Sequence, residues 1–346
     1  MSFSQKILHW YSLNKRSLPW RNTTDPYKIW LSEIMLQQTR VAQGTSYYLT
    51  FEKHFPTIFD LANASEEKIL KLWQGLGYYS RARNLHYTAK DIVKNYNGTF
   101  PSTYKELLKL KGVGDYTASA IASISFNEQQ AVVDGNVYRV LSRYFGVDLP
   151  INSTKGIKYF KELASHVMHN SNIRDYNQGI MEFGALQCAP KNPDCTSCPL
   201  SDSCVALQQQ LVTTLPIKTN KTKVKNRYFN YLVFIDSANK TLLNKRTGKG
   251  IWQNLYEFPV LETKEQKADV ANEYKKVAPN ISAKNILLFN DKPIVHKLSH
   301  QHLHTNFWII AVDSTLENGI AMSDLEKYPV PVLIADFIKT FKISYF

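Results

Sequence analysis

"LKLKGVGDYTASAIASI", residues 108–124, sets two glycines between two apolar runs. Apolar residues three and four apart flank Gly112-Val113-Gly114, which predicts two helices joined by a tight turn, the layout of a helix-hairpin-helix. Glycine makes such a turn without the steric cost of a Cβ, and the helix that follows opens with amide N–H groups unpaired within it. Those donors suit a phosphate. A Gly-x-Gly between helices is equally compatible with an ordinary connection, so the neighbouring segments must decide.

Downstream, "VVDGNVYRVLSR" (132–143) places Asp134 and Gly135 before another helical pattern; taken singly, this is a plain helix N-cap. Upstream, "WLSEIMLQQTR" (30–40) sets a carboxylate, Glu33, among Trp30, Leu31, Ile34, Met35 and Leu36. A carboxyl in that company is desolvated, which raises its pKa.

Residues 1–210 read as helical throughout. Stretches 65–74 and 103–111 are amphipathic and begin with Ser or Thr followed by Glu. From residue 228 the texture changes. "RYFNYLVFID" and "NFWIIAV" alternate and are β-branched or aromatic, with Gly, Asn and Pro clusters between them. The boundary falls at 211–227, "LVTTLPIKTNKTKVKNR", whose Thr, Asn and Lys content predicts a flexible or extended linker between a domain at 1–210 and one at 228–346.

Composition agrees with two cored units, since 346 residues at 44% hydrophobic content exceed what a single small core needs. The formal charge is +13 and unevenly spread: +6 over 1–210, +5 over the short linker and +2 over 228–346. A basic stripe suits a polyanion, although charge alone fits a solvated surface as well. No run is apolar enough for a secretory core or a membrane span, so the expectation is a soluble cytoplasmic protein.

All four cysteines, Cys188, Cys195, Cys198 and Cys204, lie in one stretch spaced C-x6-C-x2-C-x5-C. Four thiols that close in a reducing compartment predict one metal centre rather than disulfides. Spacing alone leaves zinc and an iron-sulfur cluster both open.

Taken together, LPWR (18–21), SEIMLQQT (32–39), GLGYYSRARNL (75–85), GVGDYTASA (112–120), VDGNVYRVLSR (133–143) and the cysteine spacing resemble MutY-type adenine DNA glycosylases. These belong to the helix-hairpin-helix glycosylase superfamily, which also contains endonuclease III. The resemblance implies a mainly α N-terminal region of two helical subdomains with an iron-sulfur loop, followed by an α/β Nudix-like domain. It implies a monofunctional, monomeric, bacterial-type enzyme associated with the nucleoid, acting on duplex DNA with an adenine:8-oxoguanine mispair. The metal centre becomes a 4Fe-4S cluster on the four cysteines, with a monovalent or calcium ion at the hairpin as a further candidate.

The resemblance also assigns residues. Glu33 becomes the general acid toward adenine N7, which fits a flipped base that leaves poorly as an anion. Asp134 stabilises the oxocarbenium-like sugar or a covalent adduct, Asn136 orients Asp134 or water, and Tyr116 lies beside Glu33. Tyr116 stands where bifunctional relatives carry a Schiff-base lysine, and a phenol forms no imine. Trp20, Arg21 and Gln178 fall to the adenine pocket, Leu36 to substrate binding, and Gln38, Thr39, Leu76 and the wedge Tyr78 to the lesion pair.

Gly112 and Gly114 would hold the DNA backbone, as would Lys111, which replaces the family's usual proline. In the second domain Leu298-Ser299-His300 is the counterpart of a Phe-Ser-His lesion-reading loop, with Ser299 and His300 keeping the polar groups. The acidic helix of Nudix hydrolases is missing from "TKEQKADVANEYKKV", so this domain should recognise and not hydrolyse. The histidine row His296, His300, His302, His304 reads as one strand face rather than a metal site. An endonuclease III-like glycosylase/lyase, a Nudix-type hydrolase and a non-catalytic iron-sulfur binding module are the alternatives, opposed by Tyr116, by the missing acidic helix and by the presence of both carboxylates.

Overall fold

In the computed structural model, which describes residues 1–219, 224–267 and 269–345, the helical half forms α1 (Phe3–Asn14), α2 (Pro26–Leu36), α3 (Val41–His54), α4 (Ile58–Asn63), α5 (Glu66–Leu72), α6 (Ser80–Tyr96), α7 (Tyr104–Leu107), α8 (Asp115–Phe126), α9 (Gly135–Phe145), α10 (Thr154–Val167), α11 (Ile173–Leu186) and α12 (Val205–Gln208). Strands follow as β1 (Lys225–Ile235), β2 (Lys240–Thr241), β3 (Asn244–Lys245), β4 (Tyr256–Glu257), β5 (Val260–Thr263), β6 (Ala283–Leu288), β7 (Ile294–Lys297), β8 (Gln301–Val312) and β9 (Ile320–Ala321), before α13 (Val332–Tyr345).

Contacts divide the chain into two units: residues 1–64 with 83–220, and residues 65–82 with 221–346. Residues 65–82, read as part of the helical domain, therefore fold with the strands. Residues 220–223 of the expected linker lie outside the described residues. Its first part is no free connector: Ile151 N donates to the Ile217 carbonyl at 3.0 Å and Thr219 N to Asn152 Oδ1 at 3.0 Å, and β1 already begins at Lys225.

Within the first unit, α2 is nearly all core. Ile29, Trp30, Leu31, Ile34 and Met35 are buried, where side chains of this kind contribute roughly 1.5–3 kcal/mol each. α2 packs on α3 and α8, and α11 packs on α1, α8 and α9. The hairpin itself is tighter than its periodicity suggests. The helix predicted over 103–111 is the four-residue α7, because Leu110 N and Val113 N bond three residues back, to the carbonyls of Leu107 and Leu110, both at 3.1 Å. Gly112 then takes φ +81°, and a Cβ there would stand 2.9 Å from Asn84 Cβ. Gly114 caps α8 without a side-chain bond, and open space surrounds it.

In the second unit the sheet order is β5-β1-β8-β6, with β7 also on β8; β1 and β8 run parallel, and the remaining pairs are antiparallel. The alternation read in β1 is not what its burial shows. Residues 229–234 are all buried because this central strand is covered on both faces. Leu232 and Phe234 join a cluster with Val270, Tyr274 and Trp308, while Tyr231 stacks on Phe307 at 5.3 Å and Phe307 on Phe337 of α13 at 3.9 Å. Among the described residues between β5 and β6, the only helical turn is the 3-10 turn Tyr274–Lys276, so no acidic helix is formed.

α5 is fastened to the same unit by polar contacts. Glu67 accepts from Tyr256 Oη at 2.7 Å and Lys245 Nζ at 3.1 Å, Glu66 from Asn254 Nδ2 at 2.6 Å, and Gln74 from Val330 N at 3.3 Å.

Candidate active site

α2, α8, α9 and α11 converge on a cavity of about 450 Å3 in the first unit. Glu33 reaches it from the middle of α2, where the flanking apolar residues leave its side chain 7% exposed. Burial pushes its carboxyl up to about 7; a hydrogen bond with Tyr116 acts against this, and the charge of Asp134 adds to it. Tyr116, from the first turn of α8, also donates to Met181 Sδ at 3.2 Å.

Asp134 is the N-cap of α9, so the modest reading of its segment is right as far as backbone geometry goes. Its Oδ1 accepts from Asn136 N at 2.9 Å and Val137 N at 2.8 Å, and its Oδ2 from Asn136 Nδ2 at 2.8 Å. Burial raises its pKa, opposed by these three donors and by Arg139. A cap oriented in this way is also a carboxylate fixed toward the cavity it lines. Asn136 is held in turn: its Oδ1 accepts from Arg139 Nη2 at 2.8 Å, and Arg139 donates onward to the carbonyls of Gly184 at 2.6 Å and Cys188 at 2.8 Å.

The cavity lining also takes in Trp20, Arg21, Leu36 and Gln178. It also carries two residues that sequence reasoning missed, Arg16 and Glu182. Glu182, with its side chain 2% exposed, accepts from Arg16 Nε at 2.7 Å and Nη2 at 2.6 Å, and from Arg21 Nη1 at 2.9 Å and Nη2 at 2.6 Å. Burial alone would raise its pKa, but the two guanidinium groups hold it down at about 2. Glu182 lies one helical turn beyond Gln178, the one local sign that both face the same way.

Gln37, Gln38 and Thr39 leave α2 at the cavity rim, Gln38 with φ +55° and Gln37 Nε2 donating to Thr117 Oγ1 at 3.2 Å. Lys111, beside the hairpin, sets its ammonium 4.2 Å from the centre of the Tyr87 ring. Leu76, Tyr78, Ser299 and His300 belong instead to the second unit. Ser299 and His300 are the tip of the β7–β8 hairpin, closed by Leu298 N to the Gln301 carbonyl at 2.8 Å. Tyr78, 45% exposed at φ +47°, bonds Ser299 Oγ through its hydroxyl at 2.5 Å, while Leu76 is buried. The histidine row does not share one strand face: His296 is on β7, His300 is in the turn, and only His302 and His304 are on β8, where His304 stacks on Tyr228 at 5.0 Å; among the described residues no three His, Cys, Asp or Glu converge as on one metal ion.

The four cysteines line a second, small cavity between α9, α12 and the 188–204 loop. Burial, with repulsion from the neighbouring thiols, raises Cys195 and Cys204 and takes Cys198 to about 11. Thiols packed together in this way ionise together only around a cation. They enclose one space, a donor set that fits a thiolate-held metal centre, zinc or iron-sulfur alike.

Residues 31–166 match the HhH-GPD superfamily of base excision DNA repair proteins, and residues 230–340 match the NUDIX domain. An adenine DNA glycosylase of Buchnera aphidicola is 37% identical over 310 residues, 89% of this chain and 86% of its own. The chain belongs to the adenine DNA glycosylase family. As a member it is a base excision repair enzyme that removes adenine from DNA. The human adenine DNA glycosylase is 42% identical over 217 residues, 60% of this chain and 40% of its own. Among solved structures, a thermostable thymine-DNA glycosylase superposes at TM-score 0.56 and 33% identity, over 60% of this chain and 95% of that one. An endonuclease III–DNA complex, at TM-score 0.52 and 20% identity over 61% and 99%, shares the fold alone. Among the described residues no helix is long and apolar enough to cross a membrane.

Proposed function

We propose that the enzyme excises adenine paired with 8-oxoguanine and is monofunctional. The observation that carries this reading is the pairing, on one cavity wall system, of a carboxyl with its pKa near 7 and a carboxylate fixed by amide donors. The flipped adenine enters between Trp20, Leu36, Gln178 and the Arg21 wall. Glu33, protonated, gives its proton to N7, and the base departs neutral rather than as an anion. Positive charge growing on the sugar is met by Asp134, which Asn136 orients; Tyr116 sits beside Glu33 and offers no amine for a lyase step.

Gly112, Gly114 and Lys111 grip the DNA backbone at the hairpin, where a monovalent or calcium ion would add a cation beside the phosphate. Gln38, Thr39, Leu76 and Tyr78 support the opened mispair, and Ser299 and His300 read 8-oxoguanine. Cys188, Cys195, Cys198 and Cys204 hold a 4Fe-4S cluster, which supplies a rigid, charged anchor for the loop that follows α11.

Single-turnover cleavage of duplexes containing A:8-oxoguanine, A:G and A:T tests this reading, each read with and without alkali. Alkali-dependent breaks, fastest opposite 8-oxoguanine, are expected. Breaks without alkali would make the enzyme a lyase, and equal rates on A:8-oxoguanine and A:T would remove the lesion from the reading.

A further inference from the structure

The cysteine cavity has a cation beside it that the glycosidic chemistry does not use. The side chain of Arg143, a residue of α9 that is 4% exposed, makes four hydrogen bonds among the described residues, to three carbonyls and one sulfur. Nε donates to the Leu215 carbonyl at 3.1 Å, Nη1 to the Ala189 carbonyl at 2.8 Å, and Nη2 to the Pro190 carbonyl at 3.4 Å. Nη1 also reaches Cys188 Sγ at 3.4 Å, within the range of an N–H···S bond. Carbonyls orient a guanidinium but do not neutralise it, and a buried charge without a counter-ion is costly. A metal-bound thiolate supplies the missing anion.

One turn earlier on the same helix, Arg139 contacts the same residue differently, donating to the carbonyl of Cys188. The two arginines thus differ in contact: Arg139 hydrogen-bonds the backbone of the ligand, with its charge also felt at Cys188, and Arg143 hydrogen-bonds the sulfur itself. A charged donor on a thiolate favours the state of the centre that carries the extra electron, and such bonds are among the levers that set iron-sulfur potentials.

We propose that Arg143 is a positioning residue that raises the reduction potential of the centre held by the four cysteines, protecting it from oxidation. The inference rests on the iron-sulfur reading above. It assigns no step in base excision to Arg143.

The experiment uses the loaded full-length protein as wild type, Arg143→Gln, Arg143→Lys and Arg139→Lys. Iron and acid-labile sulfide are counted per chain, and the midpoint potential is taken by film voltammetry without DNA. With equal iron content, Arg143→Gln is expected to move the potential negative by at least about 59 mV, a tenfold change in the oxidised-to-reduced ratio at a fixed poise for one electron. Arg143→Lys, which keeps the charge but loses the planar fork, should move it less in the same direction, and Arg139→Lys should not move it.

Loaded Arg143 variants at the wild-type potential would overturn this inference and leave the cluster reading intact. A wild-type protein holding zinc and no sulfide would overturn both. If Arg143→Gln does not load, Arg143→Lys decides alone: a negative shift upholds the proposal, and an unchanged potential ends it.

Discussion

Glu33 and Asp134 line the same cavity, yet one is built into the middle of a helix and the other onto the end of one. In mid-helix the nearby backbone amides are already paired with carbonyls, so Glu33 turns to a side chain, Tyr116, and burial takes its pKa to about 7. At the helix start the amides of Asn136 and Val137 are free and turn to Asp134. Burial is the largest influence on both. What differs is the supply of donors, and that supply follows from position along the helix rather than from residue type. The difference suits one group to keep a proton and the other to bear a charge.

Removing the proton donor should have the largest effect. Glu33→Gln is expected to lower single-turnover excision by about 10^3 to 10^4 at neutral pH while duplex affinity stays near wild type; a rate within tenfold of wild type would remove Glu33 as the acid. Asp134→Asn keeps an oxygen for the helix cap and loses the charge. Excision should fall by about 10^2 to 10^3 with unchanged helical circular dichroism, and a loss of helix instead would mean that the cap was its whole purpose.

The buried carboxyl also has a cost in stability. Glu33 moves from 4.5 to about 7 on folding, a raised pKa, so its contribution is complete below about 4.5 and lost as pH climbs to about 7. At about 1.36 kcal/mol per unit the loss approaches roughly 3 kcal/mol. Urea unfolding at pH 5 and pH 8 should show wild type losing more stability than Glu33→Gln; equal losses would contradict a buried, shifted Glu33. The same titration predicts that excision falls about tenfold per pH unit above about 7, and a flat profile from pH 6 to 8.5 would speak against an acid with this pKa. The smallest change is expected for Asn136→Ala, which takes one of three donors from Asp134 and should cost about tenfold in rate. No effect would leave orientation of Asp134 to the backbone alone.

Both halves of the comparison were legible in the sequence because each is local. Glu33 is surrounded by Trp30, Ile34 and Leu36 within one turn, and Asp134 precedes its own helix. The hairpin glycines and the cysteine spacing are legible for the same reason. The Arg16–Glu182–Arg21 cluster is not, since its partners are 166 and 161 residues apart and nothing near either arginine signals a carboxylate. Helix length at 103–111 was overread because apolar spacing does not reveal the tightening toward Gly112. In β1, polar and aromatic residues looked like alternation, but strand position in the sheet, which sequence does not display, buries both faces.

Residues 65–82 carry a practical consequence for anyone who would cut or recombine this chain. A fragment ending near residue 220 keeps Glu66, Glu67, Lys71 and Gln74 but loses their partners Asn254, Tyr256, Lys245, Tyr328 and Val330. The second unit is discontinuous, so separating it from the first takes three breaks, at either end of 65–82 and near residue 220, rather than one. A chimera that grafts the C-terminal half onto another glycosylase would have to transplant the short helical insert with it, Tyr78 and its Ser299 contact included.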